Sequence, residues 1–104
     1  MDWAQAAIDP QRDGLLIAPA IAVARLLDRH ELSSEDVELW EFHEAFAAQV
    51  LANIKVVGIP EEKLNIAGGG VALGHPIGAS GARVLTTLIH QLARTGGRAG
   101  IASL

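Results

Sequence analysis

Leu64 to Arg83 reads LNIAGGGVALGHPIGASGAR, a run of glycines and a proline crowded around one histidine, His75. Glycine lets the backbone take positive φ and lets a neighbouring chain or ligand come close. Pro76 fixes its own φ and holds His75 in extended geometry. The run therefore aims one imidazole from a sharply shaped loop and then launches a helix near Ser80 and Gly81. Unpaired N–H groups and the positive end of the helix dipole fall beside the ring. A strand, a Gly-rich turn and a helix N-terminus together make a place where negative charge is stabilised. A plain tight turn needs one or two glycines, but it does not need His75 held against Pro76.

Working outward, Leu85, Leu88, Ile89 and Leu92 follow at i, i+3, i+4, i+7 spacing. They predict a helix over 80–95 with those side chains inward. Gly96-Gly97 supplies a left-handed stop, and Arg98 to Leu104 reads as a last strand. On the other side, Lys63 to Leu73 reads as a strand whose glycines mark bends. Residues 45–57 predict a helix apolar on nearly every side, hence covered on more than one face, with Gly58 and Pro60 ending it. Val37 to Phe42, VELWEF, reads as a largely buried strand, and Ser33 with Asp36 resembles a capping pattern for one turn. Pro19 suits the first turn of a helix reaching about His30, with Ile21, Leu26 and Leu27 inward. Asp9-Pro10 and Arg12-Asp13-Gly14 mark a turn, and Met1 to Ile8 reads as the tail of a strand. Alternating strands and helices predict a layered α/β domain with a mostly parallel sheet. Sites in such sheets form at the carboxyl ends of strands. The loops at 42–45 and 74–80 both leave strand ends, so His43 and His75 converge if their strands are neighbours.

Composition narrows the function classes. At 104 residues the chain is one domain or less, and half of it is hydrophobic. A net charge of −4 and a pI near 5.4 argue against a nucleic-acid footprint or a polybasic membrane patch. No cysteine is present, which removes disulfides, Cys-based metal sites and a cysteine nucleophile. The longest apolar run, Leu15 to Ala24, is too short to span a bilayer, and no signal segment opens the chain. A cytoplasmic protein is the expectation. His30 and His90 read as solvated helix residues, with no spacing that suggests a metal, and Ser80 reads as an N-cap rather than a nucleophile. A nucleotide cradle over Gly68 to Gly81 ranks last, since neither a P-loop lysine nor the dinucleotide spacing is present.

EFHEAFAAQ (residues 41–49) together with the Gly-rich run resembles the C-terminal half of the thiolases, the acyltransferases that cleave or form 3-ketoacyl-CoA. The likeness continues through DPQRDGLLIAPAIAVARLL (9–27) and RTGGRAGIASL (94–104), so it covers essentially the whole chain. It implies residues 1–104 as a partial thiolase-like C-terminal core domain, clipped in its first strand and before its last. The family's GHP histidine falls on His75, which would help activate the acyl-accepting cysteine and donate to the thioester oxygen as an enolate forms. The NEAF motif falls on His43-Glu44-Ala45-Phe46, with histidine where most members have asparagine, holding a water in the same oxyanion hole. This variant resembles a subset of thiolases linked with fatty-acid β-oxidation. Glu44 would fix the loop, and Phe46 would line the acyl pocket. Ala45, Gly74 and Pro76 are the remaining substrate-side positions that the motifs imply.

The same resemblance implies coenzyme A as substrate, no other cofactor and no metal. It further implies a homo-oligomer in the full-length protein and no nucleic-acid or membrane partner. Thiolases are several times longer and carry two reactive cysteines, neither of which is present in this chain. The expectation is a piece inactive by itself, marginally stable and prone to self-association. The competing expectation is a non-catalytic acyl-CoA-binding or interaction module of the same fold.

Overall fold

Trp40 and Phe42 pack edge to face, ring centroids 6.1 Å apart, on one side of a short buried strand. In this computed structural model, which describes residues 1–9, 11–13 and 16–104, that strand is β1, Leu39–Phe42. Around it stand α1 (Ala18–His30), α2 (Ala47–Val57), α3 (Gly70–Leu73), α4 (Ser80–Thr95) and β2 (Gly100–Ser103). β1 and β2 run parallel, pairing Leu39 with Gly100 and Phe42 with Ser103. Just outside the ladder, Glu38 N–H donates to Ala99 O at 3.0 Å and His43 N–H to Ser103 O at 2.8 Å. The Glu38 carboxylate accepts from the N–H groups of Arg98 and Ala99, pinning the start of β2. On its other edge β1 meets Leu64, which forms a parallel bridge with Trp40.

Alternation along a strand sends neighbouring side chains to opposite faces. Trp40 and Phe42 join Val23, Leu27, Val37 and Ile59 in the core beneath α1. Leu39, Glu41 and His43 face α4, whose buried side chains are Ser80, Val84 and Leu88. α1 carries Pro19 in its first turn and buries Ala20, Val23 and Leu27. Its docking to α2 is polar as well as apolar. Buried Asn53 accepts from Ala20 N–H at 3.0 Å and donates to Gln49 O at 2.8 Å and Leu16 O at 3.3 Å.

The layered α/β fold and its parallel sheet agree with the sequence reading, as do helices over 18–30 and 80–95. The Ser33–Asp36 capping box is present, and left-handed Gly96 ends α4. Several local expectations differ. Residues 1–8 form no strand, and Trp3 is exposed. Lys63 to Leu73 is not a strand. Only Leu64 pairs, because Asn65 turns left-handed (φ 47°) and the chain folds over into α3. The loop at 74–80 therefore leaves a short helix and not a strand end. α2 is covered on one face only, since Leu51 and Val56 are exposed. The buried stripe of α4 is Ser80, Val84 and Leu88, so Leu85 and Ile89 lie towards solvent. Arg12 and Asp13 N–H groups both bond Asp9 O, closing the expected turn. Pro10 and Gly14, which also entered that reading, and Leu15, which opened the longest apolar run, lie outside the described residues. Among the described residues no helix is long and apolar enough to cross a membrane.

Replacing Asn53 with alanine would strip the α1–α2 contact of its buried hydrogen bonds. Ala20 N–H keeps a second acceptor in Ile17 O, so the expected loss is about 1 to 2 kcal/mol. Urea unfolding of Asn53→Ala beside the parent chain measures it.

Candidate active site

The site begins where β1 ends. His43 continues the alternation of Leu39 and Glu41 and points to the α4 side, while Glu44 turns to the opposite edge. There a side-chain amide takes the place of a missing strand. Asn65 Oδ1 accepts from Phe42 N–H at 2.8 Å, and its Nδ2 donates to Phe42 O at 3.0 Å. The same Nδ2 donates to Glu44 Oε1 at 2.7 Å, and Val71 N–H donates to Glu44 Oε2 at 2.9 Å. Asparagine tolerates the left-handed geometry this requires. One carboxylate thus ties the loop after β1 to the start of α3.

Two glycines make room for that tie. A Cβ at Gly69 would overlap the Glu44 carboxylate. A Cβ at Gly70 would sit 3.2 Å from both Glu44 O and the His43 ring. The chain then passes through α3 and Gly74 (φ 88°) to His75. Pro76 O accepts from Ala79 N–H at 2.7 Å and Ser80 N–H at 3.0 Å, closing the turn into α4. Of the N–H groups expected free near Ser80 and Gly81, that of Ser80 is consumed by this turn. His75 Nδ1 lies 2.7 Å from Ser80 Oγ.

The two histidines meet. Their ring centroids are 4.1 Å apart, tilted by 37°. His43 is buried, with neither ring nitrogen hydrogen-bonded, whereas His75 is exposed. Burial lowers the His43 pKa, and the neighbouring His75 and Arg83 lower it further against an opposing pull from Glu44. His43 is therefore a neutral imidazole near pH 7. Beneath it, Glu41 is only 1% exposed and neither carboxylate oxygen has a hydrogen-bond partner. Burial pushes its pKa up to about 7, with Arg83 opposing and Glu44 adding. Arg83 Nη1 stands 4.0 Å from Glu41 Oε2.

The remaining positions singled out in the sequence lie close to this pair along the chain. Ala45 is exposed, and Phe46 is 62% exposed at the entry to α2. Val71, Leu73 and Ile77 are exposed nearby. Asn65, Glu41, Arg83 and the side-chain role of Ser80 were missed by the sequence reading. An asparagine inside a glycine-rich turn and a carboxylate inside VELWEF were the available signals. Among the described residues no cluster of three or more His, Asp or Glu has the geometry of a metal site. Chemically, a neutral imidazole packed on an exposed one suits an oxygen that gains negative charge.

Comparison with known proteins shows the family. The thiolase C-terminal domain family matches residues 1–104. The chain belongs to the thiolases. This thiolase domain is 46% identical over 104 residues to the cytosolic acetyl-CoA acetyltransferase of Mus musculus, covering 100% of the chain and 26% of that protein. It is 48% identical over 102 residues to the mitochondrial acetyl-CoA acetyltransferase A of Xenopus laevis, covering 98% of the chain and 23% of that protein. The crystal structure of the Bacillus anthracis acetyl-CoA acetyltransferase superposes with a TM-score of 0.89 at 46% identity, over 96% of this chain and 25% of that one. The thiolase domain described here thus spans about a quarter of the length of these relatives.

Glu41 makes the stability of the domain depend on pH. The ordinary value is 4.5 and the folded one about 7, so between them the folded chain holds a proton that the unfolded chain has released. Stability from this group falls as pH rises through that window, and the full penalty stands above it. His43, lowered from 6.5, acts with the opposite sign, so the readout is the difference from Glu41→Gln. The variant should gain about 3 kcal/mol on the parent chain between pH 4.5 and 8. Urea unfolding across that range would show it, and a flat difference would contradict it.

Proposed function

We propose that this domain supplies the oxyanion-holding loops of a thiolase, which transfers an acyl group between a cysteine thioester and acetyl-CoA. The observation that carries this reading is the 4.1 Å approach of His43 and His75 from two separate loops. In the synthetic direction a base outside this chain takes a proton from the acetyl-CoA methyl group, and the resulting enolate carbon bonds to the acyl carbonyl carbon of the cysteine thioester. The carbon–sulfur bond then breaks and the thiolate leaves. Charge gathers on the thioester oxygen only as the enolate forms, so donors fixed in advance at that oxygen lower the barrier selectively.

His75, exposed, takes the thiol proton of the acyl-accepting cysteine and donates to the thioester oxygen. His43, neutral and buried, holds a water at the same oxygen or donates to it directly. Glu44 fixes the first loop through Asn65 and Val71. Ala45 and Phe46 border the acyl group, and Gly74 and Pro76 set the direction of His75. Coenzyme A thioesters are the substrates, and no other cofactor takes part. The cytoplasm is the proposed compartment, relatives named for cytosol and for mitochondria being equally near. Leu51, Val56, Leu85 and Ile89 are exposed apolar side chains suited to self-association, in line with a homo-oligomeric whole.

The chain of 104 residues contains no cysteine, so the covalent step needs a thiol from elsewhere. That observation favours the second reading, a non-catalytic acyl-CoA-binding module. Grafting residues 1–104 in place of the matching quarter of the Bacillus anthracis enzyme separates the two. The thiolase reading expects acetoacetyl-CoA thiolysis by the chimera and none by the chain alone. His75→Ala in the chimera should lower kcat about 10²- to 10⁴-fold. A folded but inert chimera would leave the binding module standing.

A further inference from the structure

Ser80 opens α4, is 0% exposed, and does not cap the helix: Ala79 holds the N-cap position, and no side-chain cap bond forms there. Its hydroxyl sits between two groups. His75 Nδ1 lies 2.7 Å away and Pro76 O lies 3.2 Å away. A carbonyl oxygen only accepts, and a hydroxyl carries one hydrogen and two lone pairs. If that hydrogen goes to Pro76 O, the hydroxyl oxygen is free to accept, and Nδ1 must carry a proton to fill it. Both capacities of a buried hydroxyl are then used. If the hydrogen goes instead to Nδ1, the oxygen has no donor and one bond is lost. Leaving a buried polar group half-satisfied is the costlier arrangement.

We propose that Ser80 is a positioning residue that holds His75 in the Nδ1–H tautomer through the chain His75 Nδ1–H to Ser80 Oγ–H to Pro76 O, leaving Nε2 as the basic atom. This rests on the acid–base role given to His75 above and says which of its nitrogens performs it. The neutral ring presents a lone pair at Nε2, and when that atom gains a proton from a thiol the Nδ1 bond to Ser80 stays in place. The ring therefore changes charge without turning over. Donation from Nε2 to an oxygen then follows from the same orientation. Pro76 contributes twice, restricting the His75 backbone and offering the carbonyl that ends the chain of bonds. Without the hydroxyl, nothing in this set of contacts distinguishes the two ring nitrogens.

Nitrogen-15 NMR of the imidazole rings in the 104-residue chain, at about pH 8 where histidine is neutral, reads the tautomer directly. The expected result is a pyrrole-type Nδ1 and a pyridine-type Nε2 for His75. Ser80→Ala should shift the tautomer ratio about tenfold towards Nε2–H, and Ser80→Thr, which keeps the hydroxyl, should restore it. A parent chain with mainly Nε2–H would overturn the proposal whatever the variants do, and so would an unchanged ratio in folded Ser80→Ala. Either failure leaves the activity of the chimera untouched, whereas an inert chimera with His75 in the Nδ1–H form would sink the thiolase reading alone.

Discussion

The carboxylate of Glu44 is the point at which two otherwise independent loops become one object. It accepts from Asn65 Nδ2 and from Val71 N–H, and Asn65 in turn pairs with both backbone groups of Phe42. The joining of the two loops rests on this tie. Without it the segment after β1 and the glycine turn would meet only through van der Waals contact. Charge-assisted bonds of this kind are roughly twice as strong as neutral ones. They are also directional, and direction is what brings His43 against His75.

The electrostatics beneath the rings follow from where β1 lies. A strand buried on both faces must place Glu41 under α4, out of water, and the Arg83 guanidinium compensates only from 4.0 Å. The price is a carboxyl that titrates near neutrality and a His43 that stays uncharged. A neutral imidazole beside an exposed one gives two rings of unlike character within van der Waals reach. Two protonated rings at that separation would repel each other, so burial of one favours the coexistence of both.

Much of this was legible in the residues. Helical spacing located α1 and α4, because burial of one helix face repeats every three to four positions. His75 stood out through Pro76 and the glycines around it. What the residues did not reveal was mostly pairwise. Asn65 looked like part of a strand, yet its side chain substitutes for one, and nothing local distinguishes these uses. Ser80 looked like a cap because serine often is one, while its actual partner, His75, is fixed by the turn at Pro76. Leu85 and Ile89 fitted a helical stripe, but the face that meets the sheet is rotated towards Val84 and Leu88, as only tertiary contact decides. His43 stood out by its place at the end of VELWEF, and the resemblance to thiolases then gave it a role.

The alternation along Leu39–Phe42 has a further bearing. One side of this strand is hydrocarbon, Trp40 and Phe42, and the other carries Glu41 and leads to His43. Sliding β1 by a single residue against β2 would exchange those faces, driving a carboxyl and the His43 ring towards the core and two aromatic rings under α4. A mispaired chain would thus lose its interior and its reactive groups in the same event. Correct strand registry and a correctly assembled pair of histidines are consequently one structural fact.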